Sequence, residues 1–193
     1  MNDTAAKILD FWLREVPESA WYKADDALDQ TIRDRFQPVW ERGKAQQGVD
    51  WALDSDGALA ACILFDQFPR NMFRGSAEAF ATDELGRQIA RQAIEADTDI
   101  QAPLPGRRFF YMPFVHSEDL AVQDYGIEAI AERLGVADAL LHARAHREVI
   151  RRFGRFPFRN DALGRTTRPE EKEFMESGGY AEVVREMSAE PQA

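Results

Sequence analysis

The amino-acid sequence predicts an all-α protein built from antiparallel helix pairs, and three observations support this fold class. Apolar residues recur at helical spacing along most of the chain. Glycine and proline interrupt these segments, without the regularly spaced short runs of a β-sandwich or barrel. A length of 193 residues, with 45% hydrophobic and 30% charged residues, suits one domain with a single core. We therefore expect one domain over residues 1–193, frayed from about residue 188.

The first two predicted helices cover about residues 4–14 and 26–46. Asp3 precedes the first helix as an N-cap, and Pro17 marks its end. Pro38 lies inside the second, where its missing amide should kink or split the helix.

The third predicted segment, about residues 55–65, is apolar on every side, which indicates a buried helix, with a strand as the alternative. It contains Cys62, which we expect to be a small buried side chain rather than a reactive thiol. A turn should follow, because Pro69 lacks an amide donor and disfavours helical geometry at Phe68. A fourth helix is predicted over about residues 78–96.

The second half of the chain predicts helices bounded by capping residues. Residues 107–115 should form a short helix or extended run in the core. Ser117 and Asp119 should cap the next helix, which Gly135 closes. A further helix over about residues 137–153 should end at Gly154. Two short C-terminal helices are predicted over about residues 168–176, capped by Thr167, and 180–187. Short loops between antiparallel helices indicate stacked helix pairs, although no 34-residue repeat is visible.

The charge distribution is uneven along the chain. The formal net charge is -10, yet residues 151–159 alternate arginines with aromatic residues. Such a cluster binds anions, and these are either the protein's own carboxylates or an external ligand. The sequence does not favour internal carboxylates over an external ligand, or the reverse. Internal partners would come from Asp66, Glu118, Asp119 and Asp124.

The overall composition excludes several classes of function. An acidic chain lacks the sustained positive surface that general nucleic-acid binding requires. No segment approaches the roughly 20 apolar residues of a membrane span, and no secretory signal is recognisable, so we expect a cytoplasmic protein. No cofactor-binding glycine loop or nucleophile motif is present, so we expect no cofactor.

Several motifs taken together resemble the DUF924 family. They are DQFPRN at residues 66–71, HSEDL at 116–120, His146, RFGRFPFRN at 152–160 and LGR at 163–165. The resemblance runs over about residues 8–180, nearly the whole chain. It implies an all-helical fold similar to tetratricopeptide-repeat proteins, and it implies no assigned activity. One position departs from the family pattern, which has histidine where this chain has Phe158, so a role of that histidine does not carry over.

The three histidines allow metal or acid–base chemistry. His142 and His146 are four residues apart and share a helix face, as zinc ligands do, but no HExxH-type glutamate lies between them. We therefore predict no metal, pending a third ligand brought in by folding. His116 beside Glu118 offers an acid–base pair, since a carboxylate raises the pKa of a neighbouring imidazole.

The leading hypothesis from the sequence is a pocket for a small phosphate or carboxylate ligand. Its candidate acid–base residues are His116, His146 and Glu118. Its candidate ligand-binding residues are Asp66, Gln67, Arg70, Asn71, Tyr111, Arg152, Arg155, Arg159 and Asn160. The alternative is a helical scaffold that binds a peptide or partner protein, for which exposed tryptophans would be the sign.

Overall fold

The computed structural model describes residues 2–189, which are helical and contain no β-strand. The all-α prediction is confirmed, while the tetratricopeptide-like pairing stays a prediction. The chain forms two compact units, Met1–Pro113 and Phe114–Ala193, and the single domain over all residues also stays a prediction. Within the described range no helix is both long and apolar enough to cross a lipid bilayer. Of the predicted frayed end, residues 190–193 lie outside the described residues.

The first unit contains five helices that carry its core. They are α1 (Asp3–Asp10, continued by a π turn at Phe11–Glu15), α2 (Asp26–Gln46), α3 (Ser55–Cys62, continued by a π turn at Ile63–Gln67), α4 (Phe68–Met72) and α5 (Asp83–Glu95). Short 3-10 turns lie at Glu18–Ala20, Ala77–Phe80, Asp99–Gln101 and Gly106–Phe110. Helix α3 packs against both α1 and α5, and α2 packs against α4.

Two predicted helix starts in this unit are wrong. Asn2, and not Asp3, caps α1, because the Asn2 side chain accepts from the Thr4 amide at 2.8 Å. The fourth predicted helix begins later than expected, at Asp83, since Ser76 caps a separate 3-10 turn before it.

Helix α2 is continuous through Pro38, so the helix is not split there. The Asp25 side chain caps it by accepting from two amides of the first turn. Ile32 and Phe36 before the proline and Trp40 after it are all buried on one stripe. Packing on both sides of the proline therefore offsets the one hydrogen bond that it removes.

The turn predicted at residues 66–71 is wrong, because the chain stays helical from α3 into α4. Pro69 has no amide to give to the Phe65 carbonyl, four residues earlier. The Thr82 hydroxyl donates to that carbonyl oxygen instead, at 2.6 Å. A π turn beside a proline, with an outside donor for the freed carbonyl, keeps the segment helical. Helix α3, which precedes this segment, is buried as predicted. Burial raises the pKa of its Cys62 thiol well above the ordinary value.

The core of the first unit is aromatic. Trp12, Trp21 and Trp40 are 0%, 1% and 3% exposed, and Trp51 is half-buried. Trp12 and Trp21 stack with ring centroids 6.3 Å apart, and the Trp21 indole N–H donates to the Trp12 carbonyl at 2.9 Å. The tryptophans of this chain therefore serve the interior.

The second unit is formed by helices packed around α8. The short helix α6 (Met112–Val115) lies where the chain passes into this unit. It is followed by α7 (Leu120–Ala129, continued by a π turn at Ile130–Leu134), α8 (Ala137–Phe153), a 3-10 turn at Pro157–Arg159, α9 (Pro169–Glu176) and α10 (Gly179–Ala189). Helix α8 packs against α7 and α10. Gly135 and Gly154 end their helices at φ values of 66° and 70°, as predicted.

Of the predicted caps in the second unit, Asp119 is confirmed, while Ser117 and Thr167 are wrong. Asp119 caps α7 by accepting from the Ala121 and Val122 amides, whereas Ser117 only accepts from the Asp119 amide in the preceding turn. Arg168 takes the N-cap position of α9 in place of Thr167, because the Glu171 carboxylate accepts from its backbone amide at 2.8 Å.

Candidate functional site

The predicted site residues divide between the two units. The first unit holds Asp66, Gln67, Arg70, Asn71 and Tyr111, and the second holds His116, Glu118, His146, Arg152, Arg155, Arg159 and Asn160. Within each unit, the contacts distinguish side chains whose polar groups are all bonded to the protein from those that keep a polar group available to a ligand.

Arg70 is bound by carboxylates of its own unit. Its guanidinium forms a two-pronged pair with Asp83, at 2.8 and 2.9 Å, and lies 3.1 Å from Asp66. All three side chains are largely buried. This geometry fixes the start of α5 against α4, and it gives Arg70 a structural role.

Gln67 and Asn71 belong to a buried chain of polar contacts. The Gln67 amide donates to the Asn71 side chain at 2.9 Å, and Asn71 donates to Asp29 at 2.8 Å. Arg74 pairs with the same Asp29 carboxylate. The network ties α4 to α2, so these polar groups are satisfied internally.

Tyr111 makes a separate buried contact. Its hydroxyl donates to the Asp99 carboxylate at 2.7 Å, and its ring is fully buried. The bond links the 3-10 turn Asp99–Gln101 to the residue that directly follows the 3-10 turn Gly106–Phe110.

Glu171 is the centre of the second unit's arginine cluster. Its side chain is fully buried and receives two bonds from Arg155, at 2.6 and 2.8 Å, and one from Asn160 at 3.0 Å. Arg168 donates to it from its backbone and its guanidinium. Hydrogen bonds from Arg155, and then from Arg168, outweigh burial and lower the pKa of Glu171. The anion that Arg155 and Asn160 bind is thus the protein's own carboxylate.

Glu118 is held in a similar way. Arg165 pairs with both of its oxygens, at 2.9 and 2.8 Å, and the Phe156 amide donates to it at 2.9 Å. Burial raises its pKa, but the bonds from Arg165 and Phe156 outweigh this, so the pKa of Glu118 lies below its usual value. The carboxylate serves as a fixed acceptor that joins two loops.

Arg147 and Arg152 of α8 pair with carboxylates near the surface. Arg152 bonds to Glu148 and Glu186, and Arg147 pairs with Asp124. Of the four internal partners expected from the sequence, Asp66, Glu118 and Asp124 do pair with arginine, while Asp119 caps a helix.

His146 stands apart from these ion pairs. Its Nδ1 lies 2.8 Å from the His142 carbonyl oxygen, which can only accept, so Nδ1 carries the proton and Nε2 the lone pair. Nε2 has no hydrogen-bond partner among the described residues. Burial, and then the charge of His116, lowers the pKa of His146 to about 3. The imidazole is therefore neutral at physiological pH, and its Nε2 can accept a hydrogen bond.

Arg159 and His116 lie around this imidazole. The His116 and His146 ring centroids are 6.1 Å apart. Arg159 is 6% exposed, donates to the His116 carbonyl at 2.9 Å, and stacks with its Cζ 4.5 Å from the centroid of Phe156. Within the second unit, the fold thus brings together two predicted acid–base residues and one predicted ligand-binding arginine.

The hydrogen bonds of His142 and His146 do not fit a metal site shared by the two rings. Its Nδ1 lies 2.7 Å from the Tyr180 hydroxyl, while His146 points its own Nδ1 at the His142 carbonyl. Across residues 2–189, no three side chains of His, Cys, Asp or Glu are grouped in a way that could hold a metal ion.

A cavity of about 540 Å³ lies in the first unit, away from the predicted residues of that unit. The α1, α3 and 103–106 segments line it, mainly with the apolar side chains of Leu9, Leu13, Leu59 and Leu104. Its lining contains none of the residues that the sequence singled out.

We expect stability to fall on acidification, beginning below about pH 6.5. The folded state keeps His146 neutral, whereas the unfolded chain binds its proton at a pKa near 6.5. Below about pH 4.5 the loss should steepen, because hydrogen bonds from Arg151 and Arg152 hold the pKa of Glu148 at about 2, and that of Glu171 is also lowered. In each case the unfolded state binds more protons.

Urea unfolding at a series of pH values checks this dependence. A His146→Phe variant should flatten the profile between about pH 6.5 and 4.5 while leaving the steeper acid limb. A parent profile that stays flat over this range would contradict the assigned His146 environment.

Comparison with known proteins agrees with the fold and leaves the activity open. Residues 8–179 match the family described as "Bacterial protein of unknown function (DUF924)". A solved protein of unknown function from Agrobacterium tumefaciens, ATU0120, is 40% identical, with a TM-score of 0.84 over 90% of this chain and 97% of that chain. No curated protein matches this chain.

Proposed function

Since the chain belongs to the DUF924 family of bacterial proteins of unknown function, we propose its function from its own geometry: it binds a small hydroxyl-bearing anion at His116, His146 and Arg159. The observation that carries the proposal is the neutral His146 imidazole, with its Nε2 lone pair, beside the charge of Arg159. We keep the cytoplasm as the proposed location.

The electrostatics of the cluster favour an anion. Burial is the largest cause of the low pKa of His146, and the charges of protonated His116 and of Arg159 add to it. An anion placed among these groups offsets their mutual repulsion. The Arg159 guanidinium is already oriented by its stack on Phe156 and its bond to the His116 carbonyl, so little side-chain freedom is lost on binding.

The lone pair on His146 narrows the ligand class. Nε2 accepts a hydrogen bond, so the ligand should present a donor as well as a negative charge. Hydrogen phosphate and hydroxy-carboxylates have both. With its pKa lowered, His146 is a weak base, so its role at this site is to accept the ligand's hydrogen bond, while Glu118 is committed to Arg165 and the Phe156 amide.

The other arginines support this narrower site rather than the wide pocket expected from the sequence. Arg70 and Arg155 are each held by two-pronged bonds to internal carboxylates. A ligand anion would have to displace Asp83 or Glu171 to reach them. The burial of Trp12, Trp21 and Trp40 also removes the sign that would have favoured the scaffold alternative.

Calorimetric titration with citrate and with tricarballylate, which differs by the missing hydroxyl, tests the proposal. We expect citrate to bind about 5- to 13-fold more tightly, since one hydrogen bond to a polar partner is worth about 1–1.5 kcal/mol. Arg159→Gln should weaken citrate by about 1.5–3 kcal/mol, the value of a charge-assisted bond.

Arg151→Gln is the matched control, because Arg151 is exposed and its one ion-pair partner in the described part of the chain is Glu148 on the same helix. It removes the same charge and should bind citrate as the parent does. Equal affinities of citrate and tricarballylate, or equal losses in the two arginine variants, would contradict the site.

A further inference from the structure

Arg108 differs from the other half-buried arginines of this chain. It lies in the 3-10 turn Gly106–Phe110, half-buried, with its Nε atom enclosed and without a hydrogen-bond partner among residues 2–189. No carboxylate in the described part of the chain pairs with it. Its guanidinium lies over the ring of Trp21, with Cζ 5.7 Å from the ring centroid.

Other arginines of similar burial are bonded to protein oxygens. Arg33 and Arg107 donate to backbone carbonyls; Arg70, Arg147, Arg155 and Arg165 pair with carboxylates. Leaving the enclosed Nε–H of Arg108 without an acceptor is unfavourable, and it marks this guanidinium as one that the fold does not pair. Exposed arginines that have no partner among the described residues, such as Arg42, are solvated by water and need no such explanation.

Buried aromatic neighbours fix the position of Arg108 but carry no charge that would neutralise its guanidinium. Phe109 and Phe110, which follow it in the turn, are 1% and 0% exposed and anchor the backbone. Trp21 is also fixed, since it is buried and its indole N–H donates to the Trp12 carbonyl. A guanidinium lying over an aromatic face keeps its N–H groups at its edge for a planar anion.

We propose that Arg108 binds the carboxylate or phosphate group of a small molecule, through the paired Nη atoms at the end of its side chain. Trp21 orients the guanidinium, and the ligand accepts from the Nη atoms, for which the described residues supply no acceptor. The inference goes beyond the proposed function, because it shares no residue with the cluster at His116, His146 and Arg159 and rests on contacts within the first unit alone.

The test uses the full chain with arginine side chains labelled by ¹⁵N, titrated separately with inorganic phosphate and with succinate. Both probes are anions, and succinate lacks the hydroxyl that His146 would select. We expect one Nε–H resonance, absent from Arg108→Gln, to shift with at least one of the two anions, which identifies the ligand group. The dissociation constant for that anion should rise at least about tenfold in Arg108→Gln.

Arg42→Gln is the matched control, an exposed arginine of α2 whose loss removes the same charge. It should leave the affinity unchanged. Arg108→Lys keeps the charge but loses the planar guanidinium that donates two parallel hydrogen bonds. Its affinity for the anion should therefore fall between those of the parent and Arg108→Gln. Arg159→Gln should leave the Arg108 resonance responsive, so failure at one site is distinguishable from failure at the other.

The inference is overturned if the Arg108 resonance responds to neither anion, or if Arg108→Gln and Arg42→Gln bind both anions as the parent does. A lower melting temperature of Arg108→Gln together with an unresponsive Arg108 resonance would assign the residue to the fold instead. A folded Arg108→Gln variant that has lost the anion supports the site.

Discussion

Replacing Glu171 with glutamine should destabilise the protein by about 3 kcal/mol, the lower end of the cost of breaking a buried ion pair. Glutamine keeps the shape of the side chain but removes the charge that holds Arg155 and Arg168. It also places an amide donor among donors from Asn160 and the Arg168 backbone. The lower end of the range applies because both arginines remain partly exposed. Urea unfolding at neutral pH measures the change.

Glu170→Gln is the control for this experiment. Glu170 is the preceding residue, its side chain is 57% exposed, and it lies 3.5 Å from Arg168. An exposed pair of this kind contributes less than about 1 kcal/mol. Equal effects of the two substitutions would contradict the view that Glu171 is the internal anion of the arginine cluster.

Replacing Gly57 with alanine should destabilise the first unit by about 3 kcal/mol or more, at or beyond the upper end of overpacking costs. Gly57 lies in the first turn of α3, where its amide donates to the capping Asp54 side chain at 2.7 Å. A Cβ there would lie far inside contact distance of the Trp51 carbonyl oxygen. Backbone has to move to relieve this clash, and the cap would be disturbed with it.

Gly86→Ala provides the comparison at a second buried helical glycine. A Cβ at Gly86, in α5, would meet Asp66 and Phe65 at 3.5 and 3.6 Å, which is ordinary packing distance. Alanine should therefore be neutral or stabilise the helix by up to about 1 kcal/mol. Thermal unfolding of both variants separates them, and a Gly57→Ala protein as stable as Gly86→Ala would contradict the packing described for α3.

Local sequence signals predicted the helices more reliably than their ends. The α2 and α8 helices match their predicted ranges, because long apolar stripes and the glycine after α8 are local signals. The turn at residues 66–71 was wrong, since the donor that rescues the Phe65 carbonyl is Thr82, a contact between separate segments. Single-residue rules for proline do not include such partners.

The arginine cluster was visible in the sequence, but its partners were not. Glu148 and Glu171 carry much of the pairing, and neither was among the expected carboxylates. A local signal for Glu171 did exist, because it lies three residues after the N-cap and directly follows Pro169-Glu170 at the start of a helix. The neutral state of His146 could not be predicted, since it follows from burial and from the position of the His142 carbonyl.

The most direct test of the proposed site is an NMR titration of the imidazole ¹⁵N resonances, recorded with and without citrate. The chain has only three histidines, so each can be assigned by substitution. We expect His146 to remain neutral with its proton on Nδ1 until the pH approaches about 3, and its pKa to rise when citrate offsets the charges of Arg159 and His116. A His146 that titrates near its ordinary pKa of about 6.5, or one that citrate leaves unchanged, would contradict the account.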